Sequence, residues 1–429
     1  MDDWSLAIVA ALVLVYAGCS RRLERSILTG PILFVGAGLL AGSEGLGWLD
    51  LRLGGSAART LAEATLALML FADASRINIA ALRREVGLPV RLLGIGLPLT
   101  IVAGTALAAL LFTQLGWTEA LVLAIVLAPT DAALGQQVVT DQRLPVRIRQ
   151  GLNVESGLND GICVPLLFIA LALGEAEDNA ITVHSAVQLV LDEIGWGLVG
   201  GLIAGVAAAV ILRIARQRNL VADHWVQVIP LSAAALSYGI AVALGGSGFI
   251  AAFVAGLAFG VLERAADGDL TYLVDSGGQL LNAVTLIVFG AVALGQAMHR
   301  LDWRIALYAV LSLTVVRMVP VALALAGLHA RRPTVAFVGW FGPRGLASLV
   351  FALIVLEEAK LPHVELLITT AVITVGLSVL AHGLSAAPLS DAYARWFAGH
   401  AEPPPMESAA AHEHRVRRPA APLAVKPGP

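Results

Sequence analysis

About thirteen apolar runs of roughly 15–25 residues, joined by short polar connections, constrain this chain more than any other feature. They lie near residues 4–20, 28–45, 61–77, 90–112, 119–139, 154–173, 185–213, 226–244, 247–262, 272–296, 304–328, 334–357 and 364–386. About 20 helical residues cross a bilayer core. In lipid every backbone polar group needs an internal partner, so only helices or closed barrels span. The runs are continuous, not alternating strands of about ten residues, and this selects helices. The expected fold class is an all-α polytopic membrane protein with about 13 transmembrane helices.

Composition agrees. Of 429 residues, 58% are hydrophobic and only 14% charged, against about 25% charged in soluble domains. A disordered chain, a secreted disulfide scaffold and a typical cytosolic enzyme are excluded. The net charge of -3 offers no basic footprint, so no nucleic-acid partner is expected. Cys19 and Cys163 both lie in apolar runs, which implies neither a disulfide framework nor a metal site. The start, Met1-Asp2-Asp3, is acidic where a secretory signal is basic, so the first run reads as a retained helix. No Gly-x-Ser-x-Gly elbow or His-Glu-x-x-His motif supports an intramembrane enzyme; Ser348 and His299 read as a packing serine and a loop histidine.

Basic residues give an orientation. Connections after odd-numbered runs hold Arg21, Arg22, Arg25, Arg76, Arg83, Arg84, Arg91, Arg143, Arg147, Arg149, Arg213, Arg216, Arg218, Arg264, Arg331 and Arg332. Those after even-numbered runs hold Arg52, Arg59, Arg300, Arg304 and Lys360. By the positive-inside rule the N-terminus is expected outside and the C-terminus in the cytoplasm. The loop near 174–184 is acidic, as suits the outer side. Residues 388–429, with a Pro403–Pro405 run and His412-Glu413-His414, read as a flexible cytoplasmic tail behind a transmembrane domain of residues 1–387.

A charge at the centre of a span costs about 2.5–3.5 kcal/mol, so each one present needs a reason. Glu63 and Asp73 lie near run ends and read as reaching toward the interface. Asp131 follows Pro129 in the middle of the fifth run. Proline removes a backbone donor and clashes with the preceding turn, so the helix is expected to open around 128–131. Opened backbone at membrane depth is tolerated only within protein or beside a water-filled cavity. Asp131 then caps a half-helix, a role compatible with function. In the sixth run Ser156 and Asp160 share one helical face, and Glu155 and Asn159 share the adjacent one. Glu155 reads as the structural partner of Arg317 or Arg344; Asp160, set deeper, reads as the functional carboxylate.

The twelfth run repeats the pattern, with Pro343 mid-span in Phe341-Gly342-Pro343-Arg344-Gly345. Seven runs separate it from the fifth, so the two point in opposite directions. This is the signature of inverted-topology repeats with two broken helices crossing at the midplane. Arg344 is expected to offset their like ends and to pair with a carboxylate, and Arg317 to be a second fixed counter-charge.

Ala128-Pro129-Thr130-Asp131, Glu155-Ser156-Gly157-Leu158-Asn159-Asp160-Gly161, Gly342-Pro343-Arg344-Gly345 and Leu68-Met69-Leu70-Phe71-Ala72-Asp73 together resemble the bacterial monovalent cation–proton antiporters, on the electroneutral sodium/proton exchanger branch. The resemblance covers roughly residues 1–390. It implies a core domain (helices near 90–173 and 304–386) beside a dimerisation domain, a homodimer, and elevator-like alternating access in the plasma membrane. It implies that Asp160 binds cation and proton, that Thr130, Asp131 and Ser156 help hold the ion, that Asn159 marks the electroneutral branch, and that Glu155 and Arg344 form a core-stabilising pair. Sodium, lithium or potassium would be held by the oxygens of Asp160, Ser156 and Thr130, as hard cations prefer. The cation and the proton are transported, and no cofactor is expected. The other reading weighed is a sodium-coupled symporter of an organic solute on a similar fold, which would need a more polar cavity than the chain supplies.

Overall fold

The computed structural model of the chain describes residues 3–23, 28–49, 56–77, 87–177, 183–263, 270–358 and 361–399. The expectations for Arg25, Arg52, Arg83, Arg84, Arg264, Lys360, part of the acidic loop and the tail beyond 399, with its prolines and histidines, lie outside the described residues. Among the described residues all regular structure is helical, and the helices fall on the apolar runs. They are α1 (Asp3–Leu23), α2 (Gly30–Ala41), α3 (Ser56–Arg76), α4 (Gly87–Leu111), α5 (Trp117–Val126), α6 (Gln136–Thr140), α7 (Val146–Glu177), α8 (Val183–Gln217), α9 (Asp223–Ala243), α10 (Gly248–Leu262), α11 (Tyr272–His299), α12 (Trp303–Ala324), α13 (Arg332–Trp340), α14 (Leu346–Glu358) and α15 (Val364–Ala398). Among the described residues, eight helices are long and apolar enough to cross a membrane: α1, α4, α7, α8, α9, α11, α12 and α15. Four shorter apolar helices (α2, α5, α10 and α14) stand among them.

Close backbone approach organises α2, α3, α8, α10 and α11. Between lipid-facing helices the hydrophobic effect supplies little, so small residues that let backbones meet carry the packing. A Cβ at Gly201 or Gly205 of α8 would stand 2.5 Å from the carbonyl oxygen of Ala251 or Ala255 on α10. The Gly201–Gly205 pair therefore packs within the chain. Helix α1 is scarcely buried and presents Trp4, Leu6, Leu14 and Val15 outward.

The last helix serves as a ruler for the remaining ones. Helix α15 is 35 residues long, about 52 Å at 1.5 Å per residue. At its start, the His363 N–H donates to Glu119 in the first turn of α5, at 2.8 Å. Near its other end, the Tyr393 and Thr334 hydroxyls meet at 2.9 Å, and Thr334 is in the first turn of α13. Helices α5 and α13 thus enter the bundle from opposite ends, which is the inverted arrangement the direction count predicts. Arg143, beyond α6, reaches Asp391 at 2.8 Å, and Arg91 donates to the Ala326 carbonyl at 2.5 Å. The boundary expected at residue 388 falls inside α15. The helix continues through Pro388 to Ala398. There the Tyr393 ring stacks on Phe337 at 4.4 Å, and this packing holds the extension.

Candidate ion site at two broken helices

Two interruptions meet in the middle of the bundle. Helix α5 stops at Val126 and α6 begins at Gln136; α13 stops at Trp340 and α14 begins at Leu346. Pro129 and Pro343 lie within the two openings, and the Asp131 N–H donates to the Pro343 carbonyl at 2.7 Å. At two positions of the second opening there is no room for a side chain. A Cβ at Gly345 would overlap the Asp131 carboxylate, and one at Gly342 would overlap the Arg317 guanidinium.

Broken helices leave orphaned amides at their N-terminal ends and orphaned carbonyls at their C-terminal ends, with partial charges to match. Fixed side chains answer both. Asp131 Oδ1 accepts from the Ala133 and Leu134 amides at 2.7 and 3.2 Å, and Oδ2 accepts from Leu346 N–H at 2.8 Å. One carboxylate thus caps the chain leading into α6 and the start of α14. Arg344, wholly buried, donates from Nη1 to the carbonyls of Ala128 and Pro129 at 2.5 and 3.1 Å, just beyond the C-terminal end of α5. Each repeat supplies the charge that settles a helix end of the other. The Arg344 guanidinium donates to carbonyls, where a carboxylate partner was expected.

Glu155 pairs with Arg317. The guanidinium donates Nη1 and Nη2 to Oε1 and Oε2 at 2.5 and 2.9 Å, and each side chain is only 3% exposed. This corrects the Glu155–Arg344 pair that the resemblance implies. Arg317 sits on α12 against Gly342, and there its planar fork can meet the carboxylate bidentately while Arg344 is occupied with α5.

Uncharged polar groups of α7 meet Thr130. Asn159 Nδ2 donates to Thr130 Oγ1 at 2.6 Å, and Thr130 Oγ1 lies 3.2 Å from Ser156 Oγ. Thr130 and Asn159 are almost fully buried; Ser156 and Asp160, one turn apart, are partly exposed. The structure thus brings Thr130, Ser156 and Asn159 together beside the first opening, with Asp160 continuing the Ser156 face. Glu155 and Arg317 stand on the adjacent face.

Two openings approach this region. A narrow fissure is lined by Asp73, Arg76, Ile77, Asn153, Val154 and Gly157. Asp73 was read as reaching toward the interface. It lies against Gly157, the residue after Ser156, at ordinary contact distance from an added Cβ. Its signal in the sequence was an acid closing an apolar run. A wider cavity of about 530 Å³ is lined by Tyr16, Gln136, Gln137, Ser390 and Asp391, and reaches Ala133 and Leu134, whose amides hold Asp131. Sequence reading also passed over Ser378 and His382 of α15, which touch the second opening. Their spacing of four in an apolar run was the available signal, but attention to formal charge hid it.

The model of the family described as sodium/hydrogen exchanger, transmembrane, matches residues 8–392. The K(+)/H(+) antiporter NhaP2 of Shewanella sp. (strain ANA-3) is 25% identical over 382 residues, covering 88% of this chain and 64% of the relative. The chain therefore spans about two thirds of the length of such relatives. The Na(+)/H(+) antiporter of Schizosaccharomyces pombe is 27% identical over 269 residues, covering 59% of this chain and 56% of that one. In three dimensions the fold is similar to the sodium proton antiporter MjNhaP1 from Methanocaldococcus jannaschii, with a TM-score of 0.71 at 18% identity, covering 90% of this chain and 98% of that chain.

Proposed function

The chain belongs to the sodium/hydrogen exchanger family, and from that premise we propose that it exchanges a monovalent cation, sodium first and lithium or potassium otherwise, for a proton across the membrane. The observation that carries this reading is the set of oxygens gathered beside the first helix opening, where Thr130 Oγ1 lies 3.2 Å from Ser156 Oγ and accepts from Asn159, with Asp160 on the Ser156 face. Asp131 is held by three backbone amides and Glu155 by both branches of Arg317, so both charges have fixed partners. Asp160 continues the face that carries Ser156, beside Thr130 and Asn159. A hard cation prefers oxygen ligands. The Asp160 carboxylate with the Ser156 and Thr130 oxygens forms such a set, and Asn159 orients Thr130 by donating to its hydroxyl.

One carboxylate accepts either a proton or a cation. Asn159 does not titrate, so exchange is one for one and electroneutral. Coupling follows from the cost of moving a bare carboxylate through a poorly hydrated path, several kcal/mol, which either load removes. The loaded core slides in an elevator-like movement while the empty, charged form stays where it is. The protein works as a homodimer in the plasma membrane, with its N-terminus outside and its arginine-rich end in the cytoplasm.

The test is dissipation of a preset pH gradient in proteoliposomes by sodium, lithium or potassium, with the membrane potential clamped and then left free. Wild type is expected to dissipate the gradient independently of potential, and Asp160→Asn to lose the activity while keeping the wild-type melting profile. Normal exchange in Asp160→Asn would overturn the assignment of Asp160, and a wild type silent with all three cations would overturn exchange itself.

A further inference from the structure

The two helix openings are settled by different means. The carbonyl end of α5 meets Arg344. The carbonyl end of α13 meets a histidine: His382 Nε2 lies 2.9 Å from the Trp340 carbonyl oxygen. Nε2 is placed to donate to that oxygen, which can only accept, and Nδ1 lies 3.0 Å from the Ser378 carbonyl oxygen of its own helix. On the other side of the ring, Nδ1 lies 3.2 Å from Ser378 Oγ, and Ser378 Oγ accepts from the Arg344 backbone N–H at 2.7 Å. The Trp340 ring stacks on the imidazole with centroids 5.0 Å apart, and the indole Nε1 donates to Ser385 at 2.8 Å. Helix α15 therefore grips both ends of the second opening, at Trp340 before it and at Arg344 within it. His382 is 1% exposed.

From Arg344 the chain of contacts runs on to the ion site. Its guanidinium holds the carbonyls of Ala128 and Pro129, and the next residue is Thr130, whose hydroxyl meets Ser156 and Asn159. We infer that His382 is a positioning residue for cation exchange: with Ser378 it fixes residues 340–344, and through Arg344 it sets where Thr130 stands against the hydroxyl face of α7. This inference rests on the exchange activity proposed above. His382 touches no transported ion, so its effect is on cation affinity.

Apparent KM for sodium, lithium and potassium, together with maximal rate, is measured in proteoliposomes for wild type, His382→Ala, His382→Gln and Ser378→Ala, with melting profiles alongside. Glutamine carries an amide N–H at about the reach of Nε2 and restores the bond to Trp340. His382→Ala leaves a buried carbonyl short of a donor, and its KM is expected to rise about tenfold. His382→Gln is expected to return to within about twofold of wild type. If His382→Ala fails to fold, Ser378→Ala carries the test, with KM raised in the same direction. Wild-type KM in both His382→Ala and Ser378→Ala overturns the inference and leaves exchange standing. So does a KM raised equally by alanine and glutamine, because then the donated hydrogen bond is not what matters. A wild type silent with every cation overturns the premise, and the inference with it.

Discussion

The two openings have the same backbone plan and opposite chemistry. The first, at 127–135, carries a carboxylate and faces Ser156 and Asn159 of α7; the second, at 341–345, carries a guanidinium and faces Ser378 and His382 of α15. Helix ends alone would make each opening equivalent, since each has a carbonyl end and an amide end. The difference lies in what the neighbouring helix offers. Around the second opening, the Trp340 carbonyl, the Arg344 amide and the Trp340 indole each have a partner on α15. Around the first, oxygen donors gather on partly exposed α7. In the exchange proposed above, the second opening stays in place while the first presents oxygens to the cation.

That contrast breaks most severely at the pair joining the halves. Glu155 on α7 and Arg317 on α12 are both buried and bonded bidentately. Removing one partner strands the other, at a cost of about 3–5 kcal/mol. Glu155→Ala and Arg317→Ala are each expected to lower thermal stability by that scale. The double variant should recover part of the loss, because no unpaired charge remains. Additive losses in the double variant would show that the two do not act as a pair. Glu155→Ala combined with Arg344→Ala serves as the control and should show no such recovery.

The next largest effect sharpens the difference in crowding. An alanine at Gly345 pushes a Cβ into Asp131, whose carboxylate is held on three amides and has no slack. Overpacking of this kind costs about 1–3 kcal/mol. An alanine at Gly157, on the ion side, makes only ordinary contact with Asp73. Gly345→Ala is therefore expected to melt lower than wild type and Gly157→Ala close to it. Equal melting of the two variants would mean that the second opening is no tighter than the first.

Much of this was legible in the sequence because lipid leaves few choices. Runs of about 20 apolar residues become helices, and a mid-span proline opens one. Asp131, Asp160 and Arg344 stood out because charge at that depth is rare. Pairing was harder to read. Glu155 has two candidate arginines in the other half of the chain, and only the folded packing, with Arg317 set against Gly342, decides between them. Neutral groups were harder still. Ser378 and His382 carry no formal charge, so a reading based on the cost of charge passes over them, although they hold the second opening.

The smallest expected effect lies at the edge of the first opening. Asp141, past the end of α6, accepts from Arg143 N–H at 3.0 Å and from Nη2 at 2.7 Å, and Arg143 also reaches Asp391. Burial pushes the Asp141 carboxyl up, but the hydrogen bonds and charge of Arg143 outweigh it and hold the group below the usual carboxylate range. A carboxyl lowered in the folded state adds stability at pH values above its unfolded pKa of about 3.9. That stability is lost as pH falls through the folded pKa. Arg143→Gln should therefore melt slightly below wild type at neutral pH, with the gap closing on acidification past about pH 4. The gap should also narrow in high salt, since Arg143 is well exposed and such pairs are screened. A gap that widens on acidification would mean that Arg143 acts through something other than the Asp141 charge. The contact to Asp391 would then be the one that ties this end of the first opening to α15.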